Sequence, residues 1–192
     1  MDLPQDAKIV IFCGRLAEYK DFQLVWEALS VIVSELNILI LFVGSVDANV
    51  KGSQEIVDNL KNKIQNNKLS EHVRFLGWRD DVSDLLAASD VLAHPTQIEA
   101  FGLSLVEALA VGLPVASTNV EAIPEILVDT KSILFDPGDA QGLREAILTI
   151  LNRTQEQRQE AARLGRDKAE KFRQLNRNLS IIELMETNLM KG

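Results

Sequence analysis

At 192 residues the chain is long enough to bury one sizeable hydrophobic core. Charged residues make up 25% and hydrophobic residues 46%, the balance of an ordinary globular domain. A net charge of −8 leaves no electrostatic footprint for nucleic-acid binding, and a single cysteine, Cys13, excludes an internal disulfide. The start shows no basic-then-apolar leader pattern. The longest apolar run, 38–43, is far shorter than the roughly 20 residues of a membrane span. A cytoplasmic, reducing environment is therefore expected.

In chain order, strands alternate with helices. The spacing predicts a buried strand over 8–13, ending in Cys13, a residue of small, buried character. A helix over 22–35 follows, with Leu24, Ala28, Leu29 and Ile32 on its inner face. A strand over 38–43 is closed by Gly44, and a helix over 54–66 carries Ile56, Leu60 and Ile64 at four-residue intervals. Then come a strand over 73–76, a short helix over 82–88 and a strand over 91–94. A helix over 103–111 begins at Gly102 and stops at Gly112-Leu113-Pro114. Strands over 115–117 and 132–135 and a helix over 140–152 complete the pattern. Short apolar strands alternating with helices imply a Rossmann-like, doubly wound parallel α/β sheet. The whole chain, 1–192, reads as one domain, of which 153–192 is a helical tail with two further helices, 156–172 and 176–190. The second of these carries an apolar stripe of Leu179, Ile181, Ile182, Met185 and Leu189.

The segment Glu99-Ala-Phe-Gly-Leu-Ser-Leu-Val-Glu107 carries the most chemistry. It sets two carboxylates eight positions apart, one in the loop before a helix and one in its second turn. The free N–H groups of the first turn, from Phe101, Gly102 and Leu103, suit a phosphate, and a carboxylate one turn further suits a sugar diol. Taken singly, either glutamate also fits a solvated charge. Placed after a strand of a parallel sheet, where ligands gather, the pair fits a ligand with both phosphate and hydroxyls, such as a nucleotide-sugar.

Arg15 and Lys20 follow Gly14 in the loop after the first strand. A planar fork of donors and a mobile point charge together can neutralise a diphosphate. The other possibility is a solvated loop with Arg15 paired to Glu18. No Asp-x-Asp, G-x-G-x-x-G or Walker lysine loop occurs, so no metal and no cofactor are expected. His94, at a strand end, reads as a satisfied histidine at the core edge, and His72 as a plain loop residue.

Glu99 to Glu107, with 108–115 behind it, resembles the Glu-x7-Glu signature of group 1 glycosyltransferases, the retaining family four enzymes of the GT-B fold. Gly14-Arg15-Leu16-Ala17-Glu18-Tyr19-Lys20 is similar to the family's phosphate loop. Val73-Arg74-Phe75-Leu76-Gly77 is similar to its base-side strand, and Ile123-Pro124-Glu125 with Phe135-Asp136-Pro137-Gly138-Asp139 extends the likeness. The blocks stand in family order from about Lys8 to Phe172. The resemblance implies the C-terminal, donor-binding half of a hexosyltransferase-type enzyme, of the kind used in polysaccharide biosynthesis. Its donor would be a UDP-, GDP- or ADP-sugar, transferred without metal and with retention.

On that resemblance Glu107 holds the ribose, Arg15 and Lys20 the diphosphate, and Glu99 the donor sugar. The backbone of Gly14 and of Phe101, Gly102 and Leu103 lines the phosphate and sugar, and Trp78 or Arg79 borders the base. The acceptor-binding N-terminal domain is missing, so an excised domain or a natural half-enzyme is expected, inactive alone. Membrane attachment would then be peripheral and run through that missing half. The final helix would expose Ile181, Ile182, Met185 or Leu189 where it meets the other half. The sequence departs from the family at Asp21, at Ser45-Val46-Asp47 and at Glu121-Ala122, where glycines are usual. A GT-B-like sugar-nucleotide epimerase and a non-catalytic nucleotide-binding or interaction module are the alternatives.

Overall fold

The computed structural model describes residues 3–189, with side chains up to Gln174. Six parallel strands lie in the order β3-β2-β1-β4-β5-β6. They are β1 Lys8–Cys13, β2 Ile38–Val43, β3 Val73–Gly77, β4 Val91–His94, β5 Val115–Thr118 and β6 Ile133–Phe135. The helices between them are α1 Gln23–Leu29, α2 Ser53–Asn66, α3 Val82–Ala87, α4 Leu103–Val111, α5 Ile123–Leu127 and α6 Ala140–Leu151, followed by α7 Gln155–Leu189.

Both faces of the sheet are covered, which explains why its central strands carry apolar residues at successive rather than alternate positions, as in 9–12 of β1 and 91–93 of β4. In β1, Val10 and Phe12 pack with α1, α2 and α6, while Ile9 and Ile11 pack on the α3–α4–α5 side with Ala169 and Phe172 of α7. On the first face Phe12, Phe22 and Phe42 form a cluster with ring centroids 5.9 to 6.1 Å apart, and Phe75 stacks on Phe42 at 4.9 Å. The strand order reverses between β1 and β4, so the crevice at their carboxyl ends is where this class of sheet binds ligands.

Three expectations are corrected. The helix expected over 22–35 ends at Leu29. Val31, Ile32 and Val33 follow, a β-branched run that resists helix, and Asn37 turns the chain in a left-handed conformation, φ 47°. The two expected tail helices are one continuous helix, because no Gly or Pro interrupts the chain near 172–176. The 3-10 turn Ser70–His72 makes His72 more than a loop residue: its ring Nδ1 lies 3.0 Å from the Ile38 carbonyl oxygen. The short helix Ile123–Leu127, with Pro124 in its first turn, had not been expected. The side chains of Ile181, Ile182, Met185 and Leu189 lie outside the described residues.

Candidate functional site

Three loops meet at the carboxyl ends of β1, β4 and β5. The first starts at Gly14, whose N–H donates to the Val43 carbonyl at 2.9 Å. It runs beside Gly44, φ 136°, where an added Cβ would sit 1.9 Å from the Gly14 carbonyl oxygen. Only a glycine at 44 allows this approach. The loop then forms the 3-10 turn Glu18–Lys20. The second loop joins β4 to α4. It is tied to the first by the Gln97 N–H, which donates to the Tyr19 carbonyl at 2.8 Å, while the Thr96 hydroxyl donates within its own loop to the Ile98 carbonyl at 2.7 Å. The third follows β5, whose last residue, Thr118, anchors the second loop through its hydroxyl, which donates to the Thr96 carbonyl at 2.6 Å.

Their convergence places Glu99 at the centre of a charged cluster. Its Oε2 lies 2.7 Å from Lys20 Nζ and 3.2 Å from His94 Nε2. Its Oε1 accepts from the Gly102 N–H at 2.9 Å and the Phe101 N–H at 3.3 Å. The Glu121 carboxylate in turn accepts the Glu99 N–H at 2.6 Å. Hydrogen bonding from His94, joined by Lys20 and the Gly102 amide, outweighs burial and holds the Glu99 carboxyl well below its ordinary range. Burial pushes the His94 imidazole down, Glu99 pulls it up, and Lys20 lowers it.

The expected site residues thus fall into groups. Lys20, Glu99, Phe101 and Gly102 come together. The amides of Phe101 and Gly102 are not free, as expected, but capped by Glu99. The Phe101 and Leu103 side chains project into solvent, with Gly102 in a left-handed conformation, φ 62°, between them. Arg15 pairs with buried Asp47 at 2.8 Å rather than with Glu18. Arg15 and Lys20 flank the Tyr19 ring at 5.8 and 5.7 Å, so the two cations do share one loop surface. Glu107 is exposed on α4, beside a cleft of about 630 Å³ that also borders Arg166, Phe172 and Arg173 of α7. Its charge is felt at the end of β1, where burial first, then Glu107, pushes the Cys13 thiol up to about 11. Trp78 is largely exposed just beyond β3, and Arg79 is turned onto Asp81 at 2.8 and 2.5 Å.

Sequence reasoning read His94 only as a satisfied histidine at the core edge, which its burial and two ring partners bear out, and assigned no contact to Tyr19 or Asp47. His94 ends β4 five positions before Glu99, and that place at a strand end was the available signal. Among the described residues no cluster of His, Cys, Asp and Glu is arranged to hold a metal ion. No described helix is long and apolar enough to cross a membrane.

A parallel sheet reversing at β1 and β4, with a cationic loop and a loop carboxylate just before α4 at that reversal, is the architecture of a Rossmann-like, GT-B-type domain. The family model described as glycosyl transferases, group 1, matches residues 2–168. The chain belongs to that family. It is 31% identical over 173 residues to the N-acetyl-alpha-D-glucosaminyl L-malate synthase of Bacillus anthracis, spanning 89% of this chain and 43% of the relative. With the lipopolysaccharide core biosynthesis glycosyltransferase LpsE of Rhizobium meliloti it shares 34% over 152 residues, 79% of this chain and 42% of the relative. Its fold matches the crystal structure of Anabaena Alr3699/HepE in complex with UDP-glucose at a TM-score of 0.82 and 27% identity, over 95% of this chain and 49% of that one. The chain therefore spans about half the length of these three proteins.

Proposed function

We propose that this chain is the donor-binding half of a retaining glycosyltransferase, taking a nucleoside-diphosphate sugar without metal and passing the sugar to an acceptor held by a separate N-terminal half. The observation that carries the proposal is the Lys20–Glu99 pair at the sheet's switch point, 2.7 Å apart, in a chain of this family. A cation for the diphosphate and a carboxylate for the sugar stand side by side, where the two parts of a donor would join. The Anabaena neighbour bound to UDP-glucose supports the same ligand class.

In this proposal Arg15 and Lys20 receive the diphosphate, Glu107 accepts hydrogen bonds from the ribose diol, and Glu99 accepts them from the donor sugar. The exposed Trp78 face and Arg79 border the base. In transfer, the bond from the anomeric carbon to the diphosphate oxygen breaks and a bond to an acceptor hydroxyl oxygen forms on the same face, the hydroxyl proton passing to the leaving diphosphate. Negative charge builds on the leaving diphosphate, and the Arg15 and Lys20 cations, drawn from Asp47 and Glu99 onto the ligand, stabilise it. Positioning needs both walls of the cleft, so the isolated chain binds donor but does not transfer sugar. The whole enzyme would work in the cytoplasm, with any membrane attachment made through its other half.

Calorimetric titration of UDP, UDP-glucose, GDP and ADP, with and without EDTA, tests this. Glu107→Gln should weaken UDP and UDP-glucose alike, by about 1.5–3 kcal/mol for a charge-assisted hydrogen bond. Glu99→Gln should weaken UDP-glucose and leave UDP nearly unchanged. Equal losses for both ligands in Glu99→Gln, or strict dependence on a divalent ion, would overturn the assignment.

A further inference from the structure

His94 is 2% exposed, yet both of its ring nitrogens have partners outside the apolar core. Nδ1 lies 3.1 Å from the Ser117 hydroxyl, and Nε2 lies 3.2 Å from Glu99 Oε2. A bare imidazole nitrogen facing a carboxylate would set lone pair against lone pair, so Nε2 must carry a proton. With the buried ring neutral beside the Lys20 cation, Nδ1 is then the acceptor. Ser117 has one hydroxyl proton and two acceptors in reach, the His94 carbonyl at 3.0 Å and Nδ1 at 3.1 Å. Giving that proton to Nδ1 satisfies the ring completely. The chain of donors therefore runs from the Ser117 hydroxyl through the imidazole to the Glu99 carboxylate.

We infer that His94 is a positioning residue for the donor sugar, acting through Glu99 with its tautomer fixed by Ser117. This inference rests on the proposal that Glu99 contacts the sugar. The division of contacts on the carboxylate gives its logic. Oε1 is fixed by the two amides before α4, and Oε2 is shared by His94 and Lys20. When a diphosphate draws Lys20 toward itself, the carboxylate loses its strongest tether. His94 is buried in the sheet and cannot follow the ligand, so it keeps Oε2 in place. The remaining lone pairs of Glu99 then face the sugar in one orientation. Partners of this kind, one shell behind a ligand-binding group, commonly set its orientation.

The experiment compares wild type with His94→Leu, His94→Gln and Ser117→Ala, measuring affinities for UDP and UDP-glucose by calorimetry. His94→Leu leaves the Ser117 hydroxyl its backbone acceptor at 3.0 Å, so it creates no orphan there. It should reduce the preference for UDP-glucose over UDP by about tenfold or more, the worth of one hydrogen bond to a charged group. UDP affinity itself should hold. His94→Gln keeps an N–H within reach of Glu99 and should restore most of the preference. In parallel, nitrogen-15 NMR of the two-histidine chain, with His72→Gln for assignment, should show His94 as the neutral tautomer protonated at Nε2. Thermal melts confirm that each variant folds. An Nδ1-protonated ring, or an unchanged UDP-glucose to UDP ratio in His94→Leu, would overturn the inference. A wild type that binds neither nucleotide would overturn the donor reading on which it rests, while the tautomer would still report on the His94–Glu99 contact itself.

Discussion

Removing the two partners of the Lys20–Glu99 ion pair should have unequal costs, and the inequality follows from the contact geometry. The side chains are 16% and 11% exposed, so water replaces little of what is lost. In Glu99→Ala, the Lys20 ammonium, the buried His94 Nε2 and the amides of Phe101 and Gly102 all lose their acceptor together. That puts the cost at the level of breaking a buried pair, about 3–5 kcal/mol. In Lys20→Ala, the carboxylate keeps His94 and the two amides, so the cost should be nearer one charged hydrogen bond, about 1.5–3 kcal/mol. The double variant should cost less than the sum of the two singles by about 1–3 kcal/mol, since the pair can be lost only once. Urea titrations at pH 7 measure all three, and melting temperatures give a second reading at about 2–4 °C per kcal/mol for a chain of this size. Equal losses in the two single variants, or strictly additive ones, would refute the picture of Glu99 as the common acceptor of four donors.

Two further expectations follow from the same geometry. Glu99 has a folded-state pKa below the ordinary 4.5, so its stabilisation is present above that value and is lost as pH falls through the folded one. The folded-state pKa of His94 is depressed below 6.5, so the unfolded chain takes up that proton first and stability begins to fall below 6.5. Urea midpoints from pH 8 to pH 3 should therefore decline in two stages, with His94→Gln removing the upper stage. At the end of β2, Gly44→Ala should cost about 3 kcal/mol and weaken UDP binding, because the clash is with the Gly14 backbone itself, which carries the Arg15 loop. Gly52→Ala, also at positive φ but with nothing within 4 Å of the added methyl, is the control and should cost about 1 kcal/mol.

The strands were legible in the sequence because a two-faced parallel sheet writes itself as uninterrupted apolar runs, as in Ile38–Val43. Helix α4 was legible because glycines stand at both of its ends, Gly102 and Gly112, each at positive φ. Where tertiary packing competed with local preference the sequence was a weaker guide: apolar spacing through Ile32 suggested more helix than the β-branched run permits. Residue types at the candidate site were legible too, but their partners were not. Lys20 and Glu99 are 79 positions apart, and only the order of the strands brings their loops together. Arg15 has an acid three residues away in Glu18, yet pairs with Asp47 because the β1 and β2 loops run side by side, with the Leu16 N–H donating to the Ser45 carbonyl at 2.9 Å.

Two of the departures from the family pattern, Asp21 and Glu121, find a common explanation in the backbone. Asp21 and Glu121 stand where the family usually has glycine, and both adopt the left-handed conformation, φ 46°. The loop shape that glycine makes easy is thus kept by residues that resist it, at a local cost of about 1–2 kcal/mol for a side chain other than Asn or Asp. Glu121 bears that cost in full, and its carboxylate accepts the Glu99 N–H at 2.6 Å. It therefore steadies the loop that carries the central acid. Asp21 tolerates the conformation better, but burial pushes its carboxyl up, with Gln97 hydrogen bonding against that shift. Its backbone also closes the Glu18–Lys20 turn, donating to the Glu18 carbonyl at 2.9 Å. Each departure thus sits one step from a member of the Lys20–Glu99 pair and fixes the turn that presents it. The geometry of the pair is maintained from outside the Glu-x7-Glu segment, by side chains the motif does not contain.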